Sequence, residues 1–184
     1  MKKKQWVLVS IALWMAAATA WAQMGEAPTV AKVLSQSVSG VEGEIVPAAE
    51  AMPEDKFNFA PSNGEFKGVR TFGQQIKHVA AVNFLVGASL LGEKPREGGE
   101  IGPDSIKTKA EIVNYLKESF AYVHKAIDLT TDKNVLESVK SPFGEGTFTR
   151  LRLATIIVGH CFDHYGQMVE YLRMNGIIPP ASRG

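Results

Sequence analysis

The sequence predicts an all-α protein, a four-helix bundle, on three observations. Apolar residues recur at spacings of three and four along four long stretches; helix-capping patterns open two of these stretches; segments rich in glycine, proline and charge separate them. Strand-like alternation is scarce.

The first helix is expected from about Thr29 to Ala51, where Val30, Leu34, Val38, Val41, Ile45 and Ala48 fall at helical spacing. Gly40 and Gly43 weaken it by roughly 1 kcal/mol each relative to alanine, and Pro47 should kink or restart it. Pro53, Pro61, Asn63 and Gly64 mark a loop from Met52 to Gly68. Helix two opens on Thr71-Phe72-Gly73-Gln74, a capping box, and should end at Gly92. Phe72, Ile76, Val79, Val86 and Leu90 form its stripe, Val82 and Leu85 widen the buried face, and His78 can face inward with them. Glu93 to Asp104 reads as an exposed connection. Thr108-Lys109-Ala110-Glu111 is a second capping box, opening a helix to about Asp128 with Ile112, Leu116, Phe120, Val123 and Ile127 on one face. A linker with Ser141, Pro142, Gly144 and Gly146 leads to helix four, about Thr147 to Asn175, whose inner face carries Leu153, Ile157, His160, His164, Met168 and Leu172. Gly176 is a fitting left-handed cap, and Pro179-Pro180 prevents continuation. The simplest arrangement of four antiparallel helices is an up-down bundle, although the long connections allow other orders.

The chain starts like an export signal: Lys2, Lys3 and Lys4 precede an apolar run from Trp6 to Ala18, and Ala20-Trp21-Ala22 fits a small-residue cleavage site. The apolar run is shorter than the roughly 20 residues of a spanning helix. Residues 1–22 are therefore read as a cleaved signal peptide and 23–184 as one domain, placing the mature protein in the periplasm or outside the cell, with no membrane span after cleavage. The cut removes three lysines from the 20 basic residues and none of the 19 acidic ones, leaving a formal charge of −2. No basic stripe points to nucleic acid. One cysteine, Cys161, makes an internal disulfide impossible and reads as a small buried hydrophobe, with intermolecular pairing or a reactive thiol as the alternatives.

The chemistry-bearing feature is the pair His160 and His164, four residues apart on the inner face of helix four. Side chains at i and i+4 share a face with Cβ atoms roughly 5–6 Å apart, which suits two imidazoles on one ion. His78, from a facing helix, is the candidate third ligand, since bundle cores assemble metal sites from facing helices. The plainer alternatives are two hydrogen-bonded polar residues near a helix surface and a satisfied core histidine. Three imidazoles suit zinc, nickel, copper or iron(II), and three protein ligands leave positions for water or substrate. His124 lies roughly 80° from the centre of the helix-three stripe at 100° per residue and is assigned to the surface. Asp163 is a candidate acceptor for an imidazole or a solvated residue, and Gln167 lines the site or bonds within the bundle. Cys161 stands where the zincin pattern HExxH needs its glutamate, and the CxxCH of covalent haem attachment is absent.

The segments HVAAVNFLVGASL and GHCFDHYGQMVEYLRMNGIIPPAS resemble the DinB-like metalloenzyme family, and the segment AEAMPEDKFNFAPSNGEFKGVRTFGQQIKHVA resembles its exported members. This family is distinct from the DNA polymerase that shares the DinB name. The resemblance runs from about Val30 to Ser182 and implies a DinB-like four-helix bundle with a divalent metal at one end. His78, His160 and His164 match the metal-binding positions. It implies zinc or nickel first, with iron or manganese as alternatives. Relatives include metal-dependent transferases that use low-molecular-weight thiols and a thiol-dependent isomerase; an exported member brings hydrolysis by activated water forward as a comparable reading. The expected function is thus a metal-dependent hydrolase or thiol-dependent transferase acting on a small molecule the sequence does not name. The alternative is a non-enzymatic metal-binding or stress-related envelope protein. No general base stands out, and pairing into a homodimer through an exposed apolar helix face stays open.

Overall fold

A computed structural model describes residues 27–183; the signal-peptide expectation lies outside the described residues. Four helices dominate: α1 (Val30–Ala51), α2 (Phe72–Leu91), α3 (Lys109–Asp128) and, after a short antiparallel hairpin of β1 (Ser138–Lys140) and β2 (Thr147–Thr149), α4 (Arg150–Met174). Among the described residues no helix is long and apolar enough to cross a membrane.

Local chemistry sets the helix boundaries. Both capping boxes form: the Thr71 hydroxyl accepts from Gln74 N while Gln74 Oε1 accepts from Thr71 N, and Thr108 and Glu111 reciprocate in the same way. Gly92 closes α2 in the left-handed region at φ 68°, which costs glycine little. The structure differs from expectation at Pro47, Leu85 and the start of helix four. α1 runs through Pro47 without a restart. The ring removes one backbone hydrogen bond, but Ile45, Ala48 and Ala49 around it are fully buried, so packing holds the last turn. Leu85 is only half-buried, unlike its stripe neighbours Val82 and Val86. Helix four begins at Arg150 rather than Thr147, because Thr147–Thr149 pairs with Ser138–Lys140 and Thr149 then serves as N-cap to Arg152 N.

The connectivity is not the simple up-down order. Lys109 at the start of α3 donates to Glu50 and Met52 carbonyls at the end of α1, and Val30 N at the start of α1 donates to Asp132 just beyond α3, so these helices are antiparallel. α2 and α4 are antiparallel too, with Gln75 bonded to Gln167 near one end and Arg150 Nη1 to Leu90 O at the other. α2 and α3, by contrast, run parallel. Glu93 beyond the end of α2 is bonded by Tyr122 and Lys125 late in α3, and Gly73 near the start of α2 lies beside Ile112 near the start of α3. The order is up-down-down-up. Residues 92–108 must therefore run back along the bundle, and their middle passes α2 as a turn of 3-10 helix, Gly99–Ile101.

The core is apolar and continuous across all four helices, from Val38, Val41 and Ile45 on α1 through Ile76 and Val79 on α2 and Leu116 and Phe120 on α3 to Leu153, Ile157 and Met168 on α4. α2 approaches α3 closely at Gly87, where a Cβ would stand 2.7 Å from the Tyr122 ring. Asn83 and Ser119 bridge the same interface at 3.1 Å inside the core.

Candidate metal centre

His78 lies in the second turn of α2, and its partners lie one turn apart on the facing α4. The i, i+4 spacing that the sequence offered becomes a single cluster once the antiparallel pairing of α2 and α4 is in place. The Gln75–Gln167 bond of 2.7 Å fastens these helices beside it. The ligand-capable atoms of His78, His160 and His164 all lie within 4.8 Å of one another. Ring centroids are 5.0, 4.9 and 4.5 Å apart for the 78–160, 78–164 and 160–164 pairs, with planes inclined by 66°, 80° and 74°. The rings point at a common region rather than stacking.

The residues fit a metal ion on several counts. His160 Nε2 and His78 Nε2 are 3.1 Å apart, and two nitrogens each about 2.0–2.1 Å from one ion at angles of roughly 90–110° would be separated by about 2.9–3.4 Å. His78 Nδ1 is 2.7 Å from the Glu100 carbonyl oxygen; only an N–H can bond a carbonyl, so this contact puts the proton on Nδ1 and leaves the Nε2 lone pair for an ion. The Nδ1 atoms of His160 and His164 are buried and have no hydrogen-bond partner among the described residues. A buried polar atom left in that state costs about 1–3 kcal/mol, a deficit that the ion itself would relieve for a ring ligating through Nδ1 and that a water would relieve for a ring ligating through Nε2.

Electrostatics keep all three rings neutral at pH 7, the form that ligates. Burial, then the neighbouring His164, His78 and Arg70, lowers the His160 pKa to about 3. Burial is also the main cause for His164, lowered to about 4, with His78 and Arg70 adding to it and Asp163 opposing. For His78 burial lowers the pKa against the opposing Glu100 carbonyl bond.

His78 and His164 are buried and His160 is half-buried, so the cluster sits just under the surface. His124 is half-buried rather than on the open surface, bonded through Nε2 to Glu42 at 2.9 Å between α1 and α3. Asp163 is exposed and accepts from Gln167 at 3.1 Å, not from a histidine. Cys161 is fully buried and donates to Asn83 Oδ1 at 3.5 Å, and burial pushes its thiol up to about 12. It is a core residue, as its apolar setting requires.

Two groups at the site went unread in the sequence. The Glu100 carbonyl reaches His78 because Gly98, at φ 92°, lets its turn close: a Cβ there would collide with the Gly102 backbone. The dense glycines at 98, 99 and 102 were the available signal. Arg70, immediately before the α2 N-cap, is close enough for its charge to act on all three histidines. Its carbonyl accepts from Tyr171 on α4 at 3.1 Å, while its guanidinium makes no hydrogen bond or ion pair among the described residues.

The family model described as the DinB superfamily matches residues 39–168. The chain belongs to the DinB superfamily. Its matched segment contains His78, His160 and His164 together. Among solved structures, a DinB-like protein from Bacillus cereus superposes with a TM-score of 0.66 at 14% identity, covering 84% of this chain and 98% of that one. A DinB-like protein from Bacillus subtilis gives 0.59 at 14%, covering 78% and 92%. A conserved protein from Enterococcus faecalis gives 0.59 at 15%, covering 79% and 96%. At these identities the likeness establishes the fold. The search of curated proteins returned no match.

Proposed function

We propose that this DinB-superfamily protein is an exported metal-dependent enzyme, a hydrolase or thiol-dependent transferase, with His78, His160 and His164 as the ligands of one divalent ion. The observation that carries the reading is the convergence of three neutral imidazoles, two of them with unpartnered buried nitrogens, from facing helices. Three imidazoles suit zinc, nickel, copper or iron(II) alike; the DinB-like resemblance favours zinc or nickel, with iron or manganese as alternatives. When bound, such an ion supplies Lewis acidity toward water, a thiol or a substrate oxygen.

The chain's own residues supply the rest. Glu100 orients the His78 ring through its carbonyl, and the Gln75–Gln167 bond holds the two ligand helices at their spacing. Arg70 brings a positive charge to the same region, which favours a substrate bearing negative charge. Cys161 is fully buried and bonded to Asn83, and burial pushes its thiol up to about 12, so this reading does not use it as the nucleophile. The lysine-led apolar start and the Ala20-Trp21-Ala22 site support export and cleavage after Ala22, which mass analysis of the protein recovered from the cell envelope would test.

Metal analysis of the purified protein is the first measurement, with one ion per chain expected. The metal-loaded protein is then screened against esters, amides and electrophilic thiol acceptors, with His160→Ala as control. Full metal retention in His160→Ala and His164→Ala would refute the site. The second reading, metal capture without catalysis, draws on the lack of a carboxylate bonded to any of the three rings among the described residues; it expects tight metal binding and no turnover across the screen.

A further inference from the structure

A cavity of about 820 Å³ lies at the opposite end of the bundle, between the last turns of α2, the segment that follows, the hairpin and the start of α4. His78 and Leu91 are separated by about 20 Å along α2 at 1.5 Å per residue, so this space is separate from the histidine cluster. Leu85, Ala88, Leu91, Val139 and Pro142 line it with apolar surface. Leu85 and Leu91 are half-buried, although Leu85 has the helical spacing of a core residue. Leu85 leaves the core to face this space, and Leu91 packs at the core's edge beside it.

The lining also carries charge at defined places. Arg150 lines the cavity; its Nη1 donates to Leu90 O at 2.9 Å, and its Nε is buried with no partner among the described residues. A guanidinium has five N–H donors and pairs best with a planar oxyanion. Lys94 and Lys140 stand on the same lining. Of the two acids there, Glu93 is already bonded by Tyr122 at 2.6 Å and Lys125 at 3.1 Å, leaving Glu145 on the exposed hairpin turn. The hairpin is fastened to α2 by the Ser89 hydroxyl, which donates to the Lys140 carbonyl, so the wall is braced. Small-molecule sites are concave, apolar spaces of about 300–1,000 Å³ with a few placed polar groups, and this one falls within that description.

We propose that the cavity binds an amphipathic monocarboxylate, an acid whose apolar chain lies along Leu85, Leu91 and Val139 and whose carboxylate pairs with Arg150. The site is independent of the metal centre. Equilibrium dialysis of the full protein with decanoate and with decanol tests it. Losing one charge-assisted bond corresponds to a change of about ten-fold or more. Decanoate should therefore bind at least about ten-fold more tightly than decanol, Arg150→Met should remove that difference while leaving decanol unaffected, and Leu91→Trp should weaken both by crowding the cavity. EDTA-treated protein and His160→Ala should bind decanoate like the parent. Equal binding of acid and alcohol, undiminished decanoate binding in Arg150→Met, or loss of binding in His160→Ala would overturn the proposal. Arg150 also bonds the Leu90 carbonyl; should Arg150→Met fail to fold, Arg150→Lys and Leu91→Trp carry the test, and no discrimination between acid and alcohol together with no effect of Leu91→Trp would sink it.

Discussion

The protein places histidine in two settings that differ in one respect. Between α1 and α3, His124 meets the Glu42 carboxylate at 2.9 Å, with each side chain about one-third exposed at 27% and 33%. Between α2 and α4, three histidines face one another; among the described residues no carboxylate bonds to them, and two keep a buried nitrogen without a partner. The first setting is satisfied by the chain alone. In the second, burial and mutual proximity penalise protonation, so the rings rest in the neutral form that can ligate an ion.

The contrast breaks most decisively on the ligands themselves. Each of His78→Ala, His160→Ala and His164→Ala is expected to reduce bound metal from one equivalent per chain to near none by elemental analysis, while His124→Ala retains all of it. Next in size is Gly98→Ala. The added methyl collides with the Gly102 backbone and displaces the turn that presents the Glu100 carbonyl to His78; loss of an outer partner of this kind typically weakens metal affinity about 10–100-fold, measurable by competition with a chromophoric chelator. Unchanged affinity would show that the turn does not orient the ring.

Acid sharpens the comparison further. The folded pKa values of His160 and His164, about 3 and about 4, lie below the ordinary 6.5. Between those limits the unfolded chain binds more protons than the folded one, so stability of the metal-free protein is full above about pH 6.5 and declines as pH falls toward 4. Thermal unfolding of metal-free protein at pH 7.5 and pH 5 should show a larger drop for the parent than for a His160→Ala/His164→Ala double variant; equal drops would mean the cluster is not the acid-sensitive element. The smallest effect belongs to the other face. A partly exposed pair is worth less than about 1 kcal/mol, so Glu42→Gln should shift the denaturation midpoint little and leave metal content unchanged.

Much of the fold was legible in local chemistry. Thr71/Gln74 and Thr108/Glu111 set two helix starts, because a capping box is completed by atoms within four residues. Apart from Val30 in the first turn of α1, which is half-buried, the apolar stripes of α1 and α3 are buried as their spacing implies, since a helix turns by a fixed angle per residue. The hairpin was missed because three-residue strands are too short to display alternation. Pro47 does not restart α1 because the buried residues around it hold the turn, and Leu85 was misplaced because its spacing carried no sign of a cavity.

By itself the sequence determined an all-α bundle and the one-turn spacing of His160 and His164, which follow from helix geometry alone. It also supplied a motif specific enough to suggest the DinB-like family. Only the tertiary structure decided the rest. Up-down-down-up connectivity runs α2 antiparallel to α4, bringing His78 to the pair, and sends residues 92–108 back along the bundle so that Glu100 reaches His78 from a segment that reads as an exposed linker. It also placed Arg70 beside the cluster and Glu42 beside His124. The physical reason is range: caps and helical faces are set by neighbours a turn away, whereas which helices meet, and which backbone carbonyl a histidine finds, depends on burying four apolar faces at once.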